Sequence, residues 1–121
     1  MHELIPILRP GLAFAALERT MQAFALSREE IAEVLDLPAR TLTRRKRTQR
    51  LAAAESDRLY RFSRVLVHAE RALGSRDKAA QRLHRPNRAL HGATPLALLD
   101  TDIGATEVED VLGRLEHGVF S

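Results

Sequence analysis

Apolar residues in this chain recur every three or four positions and nowhere alternate with polar ones, and that regularity confines it to helices. Phe14, Leu17, Met21 and Phe24 share one face of a segment over roughly 11–25. Leu59, Phe62, Leu66, Ala69 and Leu73 do the same over roughly 56–73, and Ala105, Val108, Val111, Leu112 and Leu115 near the C-terminus. Residues three and four apart lie on the same side of a helix, whereas a half-buried strand needs a period of two. The expected class is therefore all-α. With four Phe, one Tyr and no Trp in 121 residues, the core must be built largely from Leu, Ala and Val.

Start and stop signals divide the periodic segments. Ser27-Arg28-Glu29-Glu30 has the form of a capping box, in which Ser27 and Glu30 satisfy each other's backbone donors ahead of a helix through Leu35. Gly74 is placed to end the long helix and Ser75 to cap the next, over 76–84, which stops before Pro86. Residues 85–93 read as a loop. Thr94 with Pro95 in the first helical position starts a short helix through Leu99, and Asp100, Thr101 or Asp102 caps the last one.

Between Leu35 and Ala39 stands Asp36-Leu37-Pro38. A small residue at Ala32, a residue tolerant of positive φ at Asp36 and an apolar lock at Leu42 are what two helices need to cross at a tight turn. At about 100° per residue, Arg40, Thr43, Arg44 and Arg47 fall away from Leu42, while Arg45 and Lys46 flank the core side within reach of backbone phosphates. Arginine binds guanine edges and phosphate alike, so the segment suits a DNA groove, with Arg40, Thr41, Thr43, Arg44, Arg45, Lys46 and Arg47 as the contact set. A plain solvated arginine face is the competing reading.

Charge is segregated along the chain. Residues 39–50 carry six basic side chains and no acid, whereas residues 100–121 carry six acids and one arginine. That asymmetry points to two partners, one of them polyanionic. There is no cysteine, which removes disulfides and thiol chemistry and suits the cytoplasm. No apolar run is long enough for a membrane span, and no signal peptide is seen. The five histidines show no ligand spacing and there is no Gly-rich phosphate loop, so neither an enzyme nor a cofactor or metal is expected.

Residues 27–47 resemble the helix-turn-helix of the Xre and phage-repressor type, with Asp36 where Gly is commonest. Residues 55–121 resemble the toxin-binding domain of antitoxins in the Xre/MbcA/ParS group. The matching pieces include Glu55-Ser56-Asp57-Arg58-Leu59, Pro86-Asn87-Arg88-Ala89-Leu90, Gly92-x-Thr94-Pro95-Leu96, Leu98-Leu99-Asp100-Thr101, Gly104-Ala105 and Leu112 to Val119. The chain departs from the family at Arg82-Leu83, where Trp-Leu is usual, and at His91-Gly92, where Gly-Gly is frequent. The resemblance implies a DNA-binding domain over 1–54, a toxin-binding domain over 55–121 and a RES-domain, NAD-consuming toxin as partner. It further implies repression of the chain's own operon and a homodimer.

On that reading the acidic last helix and its tail cover the toxin's active site. Glu109, Leu112, Arg114, Leu115, Glu116, Gly118, Val119, Phe120 and Ser121 are then the toxin-facing residues. The plainer expectation for Val119 and Phe120 is that they fold back on the long helix. A stand-alone repressor with a helical dimerisation domain is the alternative for the whole chain, and an adaptor that binds no DNA is a third.

Overall fold

The computed structural model describes residues 12–118. Among these residues seven α-helices follow one another: α1 Phe14–Phe24, α2 Arg28–Val34, α3 Ala39–Thr48, α4 Ala53–Leu73, α5 Arg76–Leu83, α6 Pro95–Leu98 and α7 Asp102–His117. A 3-10 turn at Arg88–Leu90 interrupts the segment expected to be a plain loop. Among the described residues there is no strand, only an isolated bridge between Ala13 and Arg50. The chain is all-α, as its periodicity requires. Its contacts fall into two compact units, Met1–Arg61 and Phe62–Ser121, so the division lies within α4 rather than ahead of it.

In the first unit Phe14, Leu17, Phe24, Ile31, Leu35, Leu42 and Leu59 are buried together with Leu51. The start of α1 has no side-chain cap. Its neighbourhood is secured from elsewhere: the Phe14 amide donates to the Gln49 carbonyl at 3.0 Å and the Leu51 amide to that of Leu12 at 2.9 Å. The Leu12 amide donates to Ser56 Oγ at 2.7 Å. Helix ends need such partners because their outer backbone groups have none within the helix.

Helix α4 begins at Ala53, three residues before the start expected near 56. Glu55 turns back and accepts from the Ala52 amide at 2.8 Å, and Ser56 Oγ donates to the Ala52 carbonyl at 2.9 Å. The helix ends as its sequence signals, with Gly74 at φ +88° and Ser75 Oγ accepting from the Lys78 amide at 3.1 Å.

The second unit buries Phe62, Val65, Leu66 and Ala69 of α4 with Ala79, Leu83, Leu90, Leu96, Leu99, Val108 and Leu112. Its loops are held by capping. Asn87 Oδ1 accepts from the Ala89 amide at 2.8 Å, and the Gly92 amide donates to the Asn87 carbonyl at 2.9 Å. Thr94 Oγ1 accepts from the Ala97 amide at 3.2 Å, with Pro95 in the first turn. Of the three candidates for the last cap, Thr101 is the one used, its Oγ1 accepting from the Gly104 amide at 3.0 Å. Gly104 is buried, and a Cβ there would run into the Leu98 carbonyl.

Candidate functional site

The cationic surface of the first unit is set by how α2 hands over to α3. Both halves of the Ser27 capping box are made, with the Glu30 amide 3.1 Å from Ser27 Oγ and the Ser27 amide 2.8 Å from Glu30 Oε1. Helix α2 then ends in a Schellman-type turn. Asp36 sits at φ +57°, its amide donates to the Glu33 carbonyl at 3.1 Å, and the Leu37 amide reaches back to the Ala32 carbonyl at 2.9 Å. The carbonyl of Leu35 receives Arg58 Nη1 from α4 at 3.1 Å. Pro38 precedes α3, and Ala32 and Leu42 are buried where the two helices cross. The turn has the geometry expected from Ala32, Asp36 and Leu42.

This crossing leaves Arg40, Thr43, Arg44, Lys46 and Arg47 exposed along α3, with Thr41 half-buried. Two residues of the expected contact set are engaged within the chain. Thr43 Oγ1 accepts from Arg28 Nη2 at 2.6 Å, so a residue of α2 that sequence reasoning did not single out fixes a hydroxyl on the exposed face. Arg45 forms a fork on Glu55, Nε to Oε1 at 2.8 Å and Nη2 to Oε2 at 2.9 Å. The Glu55 carboxyl is held below its ordinary value, chiefly because Arg45 donates to it, with the Ala52 amide and the charge of Arg44 acting the same way against burial. Neither contact follows from spacing, since each joins residues on different helices. A cleft of about 160 Å³ beside α3 is lined by Phe14, Leu17, Met21, Arg28, Leu42 and Lys46.

In the second unit α7 presents its acids to solvent and its apolar stripe inward. Glu107, Asp110 and Arg114 are exposed, Glu109 and Leu115 are half-buried, and Gly118 closes the helix at φ +69°. Leu112, expected to face a partner, is 6% exposed and belongs to the unit's own core. Glu116 is also committed inside the unit: Oε2 accepts from Arg71 Nε at 2.8 Å and Oε1 lies 3.7 Å from His68 Nε2. That contact with Arg71 holds the Glu116 carboxyl below its ordinary value. The other expected tail residues, Val119, Phe120 and Ser121, lie outside the described residues. An apolar cleft between α4, α5 and α7 is lined by Leu73, Leu83, Leu90, Val111 and Leu115 among others. No group of His, Asp or Glu able to hold a metal is found among the described residues, nor is any helix long and apolar enough to cross a membrane.

Residues 3–64 match the Antitoxin Xre-like helix-turn-helix domain. Residues 68–118 match the Antitoxin Xre/MbcA/ParS C-terminal toxin-binding domain. Between them the two matches divide the chain inside α4, as its contacts do. An antitoxin Xre of Photorhabdus laumondii is 36% identical over 117 residues, covering 95% of this chain and 79% of that protein. One of Yersinia enterocolitica is 35% identical over 120 residues, covering 98% and 81%. Another, of Pseudomonas putida, is 39% identical over 83 residues, covering 68% and 52%. With a helix-turn-helix domain matched over its first half, a toxin-binding domain over its second and relatives similar over nearly its whole length, the chain belongs to the Xre antitoxins.

Proposed function

We propose that this antitoxin neutralises a RES-domain toxin that consumes NAD, by laying α7 and the tail after Gly118 over the toxin's active site, and that it represses its own operon through α3. The observation that carries the reading is the opposition of charge on the two exposed helix faces. Arg40, Arg44, Lys46 and Arg47 line α3, while Glu107 and Asp110 stand out from α7. A pocket that receives an anionic dinucleotide is cationic, and an acidic helix complements it, steering the encounter and fixing its register. Arg114, exposed among these acids, is the candidate for a carboxylate on the toxin. The cationic face of α3 meets the opposite requirement, that of a phosphate backbone.

Removing residues 119–121 leaves Gly118 in place to end α7. The expected outcome on co-expression with the toxin encoded beside it is loss of neutralisation at an unchanged melting temperature. Full neutralisation by the shortened chain overturns active-site covering by the tail. Co-purification with that neighbouring protein, and its toxicity when expressed alone, separate this reading from a stand-alone repressor.

A further inference from the structure

The contact between α3 and α4 assigns Arg45 a task different from that of its basic neighbours. Of the six basic residues in 39–50, Arg45 is the one whose guanidinium forms a two-bonded fork on a buried acid. Its side chain is 23% exposed and that of Glu55 is 6% exposed. A planar guanidinium opposed to a carboxylate in this way has spent its Nε–H and one Nη2–H on one partner and its charge on one counter-charge. The same Glu55 Oε1 also receives the Ala52 amide at 2.8 Å, so the carboxylate is fixed by the first turn of α4 before the arginine reaches it. Within two residues of Arg45 along α3, Arg44, Lys46 and Arg47 are all exposed.

On the reading that α3 enters a DNA groove, we infer that Arg45 is a positioning residue. Its fork on Glu55 sets the roll and depth of α3 on the unit, so that Arg44 and Arg47 meet base edges and phosphates in register, and it neutralises no phosphate itself. An anchored helix discriminates between sequences because misplacing its side chains by a fraction of an ångström breaks paired hydrogen bonds. A helix that is only charged binds any duplex.

The two roles differ in what they do to salt dependence. Each phosphate neutralised contributes about 0.9 to the slope of log K against log salt. The full chain is titrated with a duplex spanning the region upstream of its own gene and with a random duplex of equal length, over a range of salt. The variants are Arg44→Met, Arg45→Lys and the double variant Arg45→Met/Glu55→Gln, which removes both charges so that no carboxylate is buried alone. Melting curves fix a temperature at which each is folded. Arg44→Met is expected to lower the slope by about 0.9, the signature of one lost phosphate contact.

For the double variant the expected result is an unchanged slope on random DNA and a fall of about tenfold in the ratio of upstream to random affinity. Arg45→Lys keeps the charge and loses the fork, so it too is expected to lose discrimination at an unchanged slope, and it decides the matter if the double variant does not fold. A slope lowered by about 0.9 in the double variant, or an Arg45→Lys protein that discriminates as the parent does, overturns the inference. So does an unchanged ratio in all Arg45 variants, which would leave the pair a merely structural tie. A parent chain that binds neither duplex overturns the DNA reading itself, and this inference with it.

Discussion

Two glycines of α7 show how differently the same residue is used. Gly104 lies against the Leu98 carbonyl with no room for a Cβ, whereas nothing lies within 4 Å of a Cβ built at Gly113. Gly104→Ala is therefore expected to destabilise the chain by about 1–3 kcal/mol through overpacking of α7 on the α6 turn. Gly113→Ala removes a flexible residue from a helix interior and is expected to stabilise it by about 0.5–1 kcal/mol. Denaturant titrations of both variants check the opposite signs. If Gly113→Ala also weakens toxin binding at this higher stability, the bare backbone there serves the partner. Asp36 and His91, at φ +57° and +59°, are two of four non-glycine residues at positive φ among the described residues, with Ala25 and Gln49. Each holds a left-handed backbone that costs a residue with a Cβ more than it costs glycine.

At the level of helices, the elements whose ends carry their own signals were legible. Ser27 with Glu30, Gly74 with Ser75, and Thr94 with Pro95 announce their caps within four residues of chain. The start of α4 was not, because Ala52 has no side-chain acceptor and its amide is taken up by Glu55 bonding backwards. Spacing was equally silent about Arg45–Glu55 and about Arg71–Glu116, whose partners stand 10 and 45 residues apart. A helical wheel puts Arg45 on the flank of the core side but names no partner for it or for Glu116, because only packing brings a second helix to them. The Glu55 pair has a measurable consequence. A carboxyl held below its unfolded value of about 4.3 contributes stability that is fully present above that pH and is lost as pH falls through the lower folded value. Unfolding free energy is expected to hold steady down to about pH 5 and to decline below. Glu55→Gln flattens that decline more than Glu116→Gln, since the partner of Glu116 is 64% exposed and that of Glu55 is 23% exposed. Equal flattening by the two would refute this ranking.

For the whole molecule, α4 is one uninterrupted helix that serves both units. The boundary expected at 54/55 separates α3 from Glu55, Leu12 from Ser56 and the Leu35 carbonyl from Arg58, all of which lie in the first unit. It also discards Leu59, which is 2% exposed. A fragment 1–61 is expected to unfold cooperatively, whereas 1–54 loses the buried acid and the Leu59 anchor and is expected to show no cooperative transition by calorimetry. A cooperative 1–54 would favour the boundary at 54/55 instead.

The residues by which this chain is recognisable, Asn87, Thr94, Pro95, Thr101 and Gly104 among them, are occupied with backbone geometry. They bond amides, start helices or make room for a carbonyl. The outward faces of α3 and α7 carry few such duties. The scaffold can thus be inherited unchanged while the lettering on those two faces is rewritten. A new toxin or a new DNA sequence then calls for changed residues on those two faces and for no new fold.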